Sequence, residues 1–182
     1  MSTRGHDPRS DDELVAAVNR GDAEAFDVVY VRYRERVLAW AWRGTGNEAD
    51  ALDVVQETFR YLLSRFPGFR LTSRLTSLLY PVVRNLCRNR RSRPTDEGSV
   101  AWLEAATAAP GAGREAAEAL ARVLGSLAEA HREVVLLRYV DGLQIDEIAE
   151  LLGVPGGTVK SRLHYALRRL RDDPVAGFLV EE

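Results

Sequence analysis

The chain of 182 residues has few of the residues that form disulfides, metal centres and membrane spans. It contains one cysteine, Cys87, and three histidines far apart in the sequence. A lone cysteine cannot form an intrachain disulfide, and no group of Cys and His residues has the spacing of zinc ligands. No run of about 18 uncharged apolar residues occurs, and the first residues lack the apolar stretch of a signal peptide. We therefore expect a cytoplasmic protein without metal, cofactor or membrane insertion.

Catalytic motifs are also missing. No nucleophile signature accompanies His6, His131 or His164, and no glycine-rich loop has the spacing of a P-loop. The formal net charge of -2 excludes a uniformly basic protein that coats nucleic acid. Any affinity for phosphate must therefore come from local clusters of Arg and Lys. The sequence predicts a protein that is not an enzyme and whose cationic residues act locally.

The apolar residues follow a helical spacing almost throughout, and no stretch alternates as a strand does. This spacing predicts an all-α fold. With 46% hydrophobic residues, the chain can also bury a core. The first half predicts four helices, of which the fourth contains Pro81 and should bend there. The first helix should start at Ser10 or Asp11, and the second contains Phe26 and runs on to Trp40. The third should run from Asn47 or Asp50 to the "FPGF" turn, and the fourth from Thr72 or Ser73 to about Arg91.

A change of composition divides the chain into two parts. Residues 93–113, "RPTDEGSVAWLEAATAAPGAG", are rich in Ala, Gly and Pro and predict a flexible linker. We therefore expect two small helical domains, at residues 10–92 and 114–173, followed by a tail at 174–182. An extended linker of this length reaches at most about 70 Å, comparable with two turns of duplex DNA.

The second domain contains the pattern of a helix-turn-helix. In "IDEIAELLGVPGGTVKSRLHYALRRL" a short helix is followed by a turn at Gly153 and by a second helix that starts near Pro155. An apolar stripe of the second helix should pack inward: Val159, Leu163, Ala166, Leu167 and Leu170. The opposite face has no acid and suits the major groove of DNA: Thr158, Lys160, Ser161, Arg162, His164, Tyr165 and Arg168. The alternative for this face is an ordinary solvated helix surface.

Three stretches together resemble one family, the extracytoplasmic-function (ECF, group IV) sigma factors of bacterial RNA polymerase. They are "DALDVVQETFRYL" (50–62), "LLYPVVRNLCRNRRSR" (78–93) and "LAEAHREVVLLRYVDGLQIDEIAELLGVPGGTVKSRLHYALRRLR" (127–171). They occur in the order of the family and are separated by a linker of suitable length. The resemblance implies a sigma region 2 helical bundle in the first domain and a sigma region 4 helix-turn-helix in the second.

The resemblance implies that the first stretch docks on the clamp of the largest subunit of core RNA polymerase. The residues that would face the polymerase are Asp50, Asp53, Gln56 and Glu57. Their spacing agrees, because residues three and four apart share one side of a helix. Leu52 departs from the family, which often has an acid there. A further contact, with the flap of the second largest subunit, is also implied.

The second stretch and the loop before it are implied to recognise and melt the minus-ten promoter element. Between residues 84 and 93 five arginines occur without an acid (Arg84, Arg88, Arg90, Arg91 and Arg93), enough for a phosphate-binding track. Phe69 and Tyr80 could stack on an extruded base, although core packing is the alternative, above all for Phe69. The minus-ten candidates are Phe69, Arg70, Arg74, Tyr80, Arg84, Asn85, Arg88 and Arg91. Leu78 and Pro81 depart from the family pattern here, so the promoter sequence read by this helix is not implied.

The third stretch corresponds to the reader of the minus-thirty-five element, with Arg162 and Arg168 the best candidates for guanine or phosphate contacts. We therefore expect a sigma factor that brings core polymerase to promoters and that an anti-sigma factor controls. The alternative is a helix-turn-helix regulator of the response-regulator type, which binds DNA without being a polymerase subunit. Such a regulator needs a receiver or ligand domain, and residues 1–92 predict no alternating strands for one.

Overall fold

The computed structural model describes residues 7–90 and 122–172. Within these residues all regular structure is helical, which confirms the all-α prediction. The chain separates into two compact units, Met1–Arg93 and Pro94–Glu182. The linker at 93–113 and the tail at 174–182 lie outside the described residues, so the domain limits stay predictions. In the described part of the chain, no helix combines the length and the apolar character that crossing a membrane requires.

The first unit contains four helices: α1 (Asp11–Asn19), α2 (Ala23–Thr45), α3 (Glu48–Ser64) and α4 (Leu75–Arg90). Their starts follow from capping side chains. Ser10 and Glu13 form a capping box, in which Glu13 Oε2 accepts from the Ser10 backbone N–H at 2.7 Å. Asn47 Oδ1 accepts from the Asp50 backbone N–H at 2.8 Å and begins α3. The predicted starts at Ser10 and Asn47 are therefore confirmed.

Two predicted limits in the first unit were wrong. The second helix continues beyond Trp40 and through Gly44 to Thr45, and it ends where Gly46 adopts the left-handed conformation with a φ of 75°. The fourth helix begins later than Thr72 or Ser73, at Leu75. The loop that precedes it is tied to α1, since Asn19 accepts from the Gly68 backbone N–H and donates to the Phe69 carbonyl, both at 2.7 Å. Helix α4 runs through Pro81 as one element.

The core of the first unit lies around α2, which packs against the other three helices. Leu14, Val37, Val54, Leu62 and Leu79 are among its fully buried side chains. Burial of a large aliphatic side chain stabilises a fold by about 1.5–3 kcal/mol, and side chains from all four helices contribute to this core.

Helices α2 and α4 are in close contact at Gly44 and Cys87. A Cβ atom placed on Gly44 would lie 2.4 Å from Cys87 Sγ, which is far inside the van der Waals distance. The absence of a side chain at Gly44 therefore allows α4 to pack closely against α2.

The second unit contains a helical turn at residues 122–126 and the helices α5 (Glu129–Val135), α6 (Ile145–Leu152) and α7 (Gly156–Arg171). A π-helical segment, Leu136–Val140, continues α5, and its wider turn places the Asp141 N–H 3.0 Å from the Leu136 carbonyl. Gly153 has a φ of 65° between α6 and α7, as the predicted turn requires. Helix α7 begins directly after Pro155, which confirms the helix-turn-helix prediction.

Candidate polymerase-docking and DNA-binding surfaces

Helix α3 has one buried side and one exposed, largely polar side. Val54, Val55 and Phe59 are buried in the core, and the buried Thr58 hydroxyl donates to the Val54 carbonyl at 2.7 Å. The other side contains the four residues implied to face the polymerase, which we call the docking stripe: Asp50, Asp53, Gln56 and Glu57. Asp53 is its most exposed acid, with 60% of its side chain accessible. The structure thus brings the stripe together on one accessible side of α3.

The acids of the docking stripe are paired with Arg90, at the end of α4. Arg90 Nη1 lies 3.2 Å from Asp50 Oδ1 and 3.1 Å from Asp53 Oδ2, and Nη2 lies 2.8 Å from Glu57 Oε1. Partial burial lowers the pKa of Arg90, but its bonds with Asp53, Asp50 and Glu57 outweigh this effect and raise the pKa above its ordinary value. The sequence pattern had suggested that Arg90 belongs to an open phosphate-binding track. In the structure its side chain turns toward α3 instead.

The outer face of α4 is cationic and exposed. Arg84, Asn85 and Arg88 all face outward, and Arg88 Nη2 donates to Asn85 Oδ1 at 2.8 Å. Asn85 keeps its amide N–H groups for other acceptors, because its oxygen is the atom that Arg88 binds. Arg91, the last minus-ten candidate, lies outside the described residues, as does Arg93. We call this face, defined by Arg84, Asn85 and Arg88, the α4 cationic face.

The loop before α4 corrects one of the minus-ten candidates. Phe69 is only 9% exposed, and its ring meets Phe66 edge-on at a centroid distance of 5.4 Å. It is therefore a core residue, because a buried ring has no face on which a base could stack. Tyr80 is half-buried and meets the ring of Trp40 edge-on at 5.0 Å.

The two remaining loop candidates, Arg70 and Arg74, are exposed. Asn19, which no sequence pattern singled out, holds this loop from a different helix. Its side chain bonds both the Gly68 N–H and the Phe69 carbonyl, so the start of the loop has a fixed position on α1. Arg70 follows directly after that fixed point.

Helix α7 separates its apolar and polar residues as predicted. Val159, Leu163, Ala166 and Leu170 are buried, whereas Leu167 is only half-buried. The candidate minus-thirty-five residues all lie outside this core. Lys160, Ser161, His164, Tyr165 and Arg168 are exposed, and Thr158 and Arg162 are partly exposed.

Two local bonds act on this face of α7. The Ser161 hydroxyl donates to the Thr158 carbonyl at 3.0 Å, and Arg168 is 4.0 Å from Asp172 in an exposed and therefore weak ion pair. Arg168 remains accessible, with 76% of its side chain exposed. The face of α7 thus offers several cationic and hydroxyl groups at helical spacing.

Tyr165 is oriented by a residue that the sequence did not associate with it. The imidazole of His131, on α5, stacks on the Tyr165 ring with 4.6 Å between centroids and 29° between planes. Within the described residues, the buried His131 Nδ1 has no hydrogen-bond partner. The stack therefore holds both rings at the border between the scaffold helix and the exposed face of α7.

Two family models match this chain. Sigma-70 region 2 matches residues 29–95, and sigma-70 region 4 matches residues 123–172. The first range contains the docking stripe and the α4 cationic face, and the second contains the helix-turn-helix. Each surface described above therefore falls within one of the two regions.

Full-length relatives and solved structures agree with these matches. The chain is 31% identical to the ECF RNA polymerase sigma-E factor of Escherichia coli (strain K12), over 86% of this chain and 90% of that protein. It is 28% identical to the ECF RNA polymerase sigma factor SigW of Bacillus subtilis (strain 168), over 86% of this chain and 92% of that protein.

Among solved structures, CnrH in complex with the cytosolic domain of CnrY is similar with a TM-score of 0.66 and 26% identity, over 93% of this chain and 96% of that chain. The fold also matches the sigma factor RpoE in complex with the anti-sigma factor NepR from Bartonella quintana, with a TM-score of 0.63 and 20% identity, over 88% and 100% of the two chains. These findings do not support the response-regulator alternative. They show that the chain belongs to the sigma-70 family and is an ECF RNA polymerase sigma factor.

Proposed function

We propose that this sigma factor docks on core RNA polymerase through the docking stripe of α3. The observation that supports this most directly is the arrangement of α3, where three acids and Gln56 lie on the accessible side and the apolar side is buried. An acidic stripe attracts a basic partner helix, and the resemblance implies such a partner in the clamp of the largest polymerase subunit. Leu52, which is 45% exposed beside the stripe, adds an apolar contact to this interface.

The proposed minus-ten reader is the α4 cationic face together with Arg70, Arg74 and Tyr80. Arg84 and Arg88 neutralise phosphates, which gives binding that weakens as salt rises. The amide of Asn85 bonds a base edge or a phosphate oxygen. Phe69 is left out of this reader, because it is buried. Arg91 stays a prediction outside the described residues.

The proposed minus-thirty-five reader is the exposed face of α7. Arg162 and Arg168 bind guanine edges or phosphates, and Thr158, Lys160, Ser161, His164 and Tyr165 surround them. A bidentate contact to a base discriminates between sequences by about 1–3 kcal/mol, whereas a phosphate contact strengthens binding to all sequences alike. Measuring each variant on several promoter sequences therefore assigns a role to each arginine.

The further partners and the location are proposed by analogy. CnrH was solved in complex with the cytosolic domain of CnrY, and RpoE in complex with the anti-sigma factor NepR. We infer that an anti-sigma factor binds this chain too, that region 4 contacts the polymerase flap, and that the protein acts in the cytoplasm without covalent chemistry of its own.

The docking proposal is tested by titrating core polymerase with fluorescently labelled full-length protein. Replacing Asp53, Gln56 and Glu57 by Ala should weaken binding by at least tenfold, and the thermal unfolding midpoint should show that the fold is kept. The control replaces Glu24 and Asp27, two exposed acids of α2, by Ala, which removes the same charge outside the stripe. Equal losses in both variants would show a general charge effect and contradict docking at this stripe.

A further inference from the structure

Arg90 connects the two functional surfaces of the first unit. It ends α4, the helix with the cationic face, and its guanidinium lies against three carboxylates of α3. Only 24% of its side chain is exposed, in contrast to the exposed Arg88 on the same helix. The last turn of α4 therefore directs one arginine to the outer face and another to the docking stripe.

In this position Arg90 competes with any cation that approaches the stripe. Its two terminal nitrogens occupy oxygens of Asp50, Asp53 and Glu57, and its positive charge repels a basic partner. The same bonds keep its guanidinium away from DNA phosphates. Ion pairs that are partly exposed are individually weak, so cations of a large interface can replace them.

We propose that Arg90 is a shared cation that pairs with the docking stripe in the free protein and is released to promoter DNA when polymerase cations take over the stripe. The inference rests on the proposed docking role of the stripe. Released from α3, the long side chain of Arg90 at the end of α4 can reach a phosphate beyond the last turn, which adds one phosphate contact to those of the α4 cationic face. Docking on polymerase thereby strengthens DNA binding by the adjacent helix.

Thermodynamic linkage makes this effect reciprocal. If polymerase and DNA both favour the state in which Arg90 has left the stripe, each ligand raises the affinity for the other by the same factor. Removing the Arg90 side chain should abolish this part of the coupling, because the stripe is then open at all times and no cation is left to transfer.

The first experiment measures the affinity of full-length Arg90→Gln for core polymerase. We expect binding about three- to tenfold tighter than wild type, because the competing cation is gone. Arg90→Lys keeps the positive charge but replaces the planar guanidinium by an ammonium group, which cannot bind several carboxylates in the same geometry. Its affinity for core polymerase should therefore lie between those of wild type and Arg90→Gln. Weaker or unchanged binding in both variants would overturn the proposal. Arg90→Lys also decides the question if Arg90→Gln does not fold, as thermal unfolding would show.

The second experiment measures how DNA binding depends on salt. The probe is a duplex fragment recovered from a random library by the wild-type holoenzyme. In the holoenzyme, Arg90→Gln should lower the slope of log affinity against log salt by about one, and in the free protein it should leave the slope unchanged. Arg88→Gln, whose arginine does not contact the stripe, should lower both slopes. An Arg90→Gln holoenzyme with the wild-type slope, or a free protein with a lowered one, would contradict the transfer.

Failure of the docking role and failure of the shared cation give different results. Asp53→Asn with Glu57→Gln tests docking alone. If this double variant binds core polymerase as wild type does, the docking proposal is wrong. If it binds more weakly while Arg90→Gln fails to bind more tightly, docking at the stripe stands and the exchange of Arg90 is wrong.

Discussion

His131 and Tyr165 face each other as a stacked pair, with ring centroids 4.6 Å apart, although they lie on different helices of the second unit. Tyr165 is 57% exposed on the polar side of α7, whereas His131 belongs to the scaffold helix α5. The stack therefore links the scaffold to a residue of the proposed minus-thirty-five reader. A rigid ring that is held in place loses less conformational freedom when it binds.

The first prediction concerns this pair. His131→Ala should weaken minus-thirty-five binding by about three- to tenfold, because Tyr165 is no longer held in one orientation. His131→Phe keeps an aromatic ring for stacking and should restore most of the affinity. Electrophoretic mobility shifts of the holoenzyme on promoter fragments measure the change, and core affinity serves as the control. Equal affinity of His131→Ala and wild type would show that the stack does not position Tyr165.

The second prediction concerns Asn19 and the loop before α4. Asn19→Ala removes two hydrogen bonds to the loop and should lower the free energy of unfolding by about 1–3 kcal/mol. It should also reduce open-complex formation, since Arg70 follows the segment that Asn19 holds. Urea unfolding and permanganate footprinting of the promoter measure the two effects. Asn19→Asp keeps the acceptor for Gly68 but loses the donor to Phe69, so an intermediate result is expected.

The third prediction concerns the tight contact of α2 with α4 at Gly44 and Cys87. Gly44→Ala should lower the free energy of unfolding by about 1–3 kcal/mol, because its Cβ would collide with the Cys87 side chain. Adding Cys87→Ala removes the Sγ atom but keeps the Cβ atom, which lies 2.7 Å from a Cβ on Gly44, so Gly44→Ala should cost less in the Cys87→Ala background but still destabilise the fold. Calorimetric unfolding of the two single variants and the double variant gives this coupling. Additive effects would show that the Sγ atom of Cys87 does not contribute to the clash.

The fourth prediction is a dependence of stability on pH. A hydrogen bond from the Arg9 side chain, assisted by the Arg9 backbone N–H, lowers the pKa of Asp7 from its ordinary value of 3.8 to about 2. Because the folded protein binds this proton less readily than the unfolded chain, Asp7 stabilises the fold above about pH 4 and loses this effect as the pH falls toward 2.

Asp7→Asn provides the test. Its thermal midpoint should lie below that of wild type at pH 6, and the difference should shrink steadily between pH 4 and pH 2. Scanning calorimetry across this range measures the difference directly, and other titrating acids cancel because both proteins contain them. A difference that is constant with pH would show that Asp7 does not titrate as its pairing with Arg9 indicates.

The sequence predicted local structure well because the signals are local. The capping box of Ser10 and Glu13, the cap at Asn47 and the turn at Gly153 are formed by residues that are neighbours in the chain. The inward stripe and the exposed face of α7 follow from helical periodicity alone. These features need no knowledge of how the helices pack.

The sequence could not predict contacts between helices. Arg90 resembles its neighbours in a cationic run, and its partner Glu57 is 33 residues away in the chain. Nothing in "FPGF" distinguishes a ring that stacks on DNA from one buried in the core, as Phe69 is. The pairing of His131 with Tyr165 likewise depends on how α5 packs on α7. Packing, and not composition, decided these three cases.

The most direct test is transcription by core polymerase from a promoter library, with start sites mapped by sequencing. Wild-type protein should add a distinct set of start sites. The docking-stripe variant should lose them at low protein concentration and regain them at high concentration. A variant with Ser161, Arg162 and Arg168 replaced by Ala should lose them at every concentration while still binding core polymerase. A start-site profile that is the same with and without the wild-type protein would contradict the account.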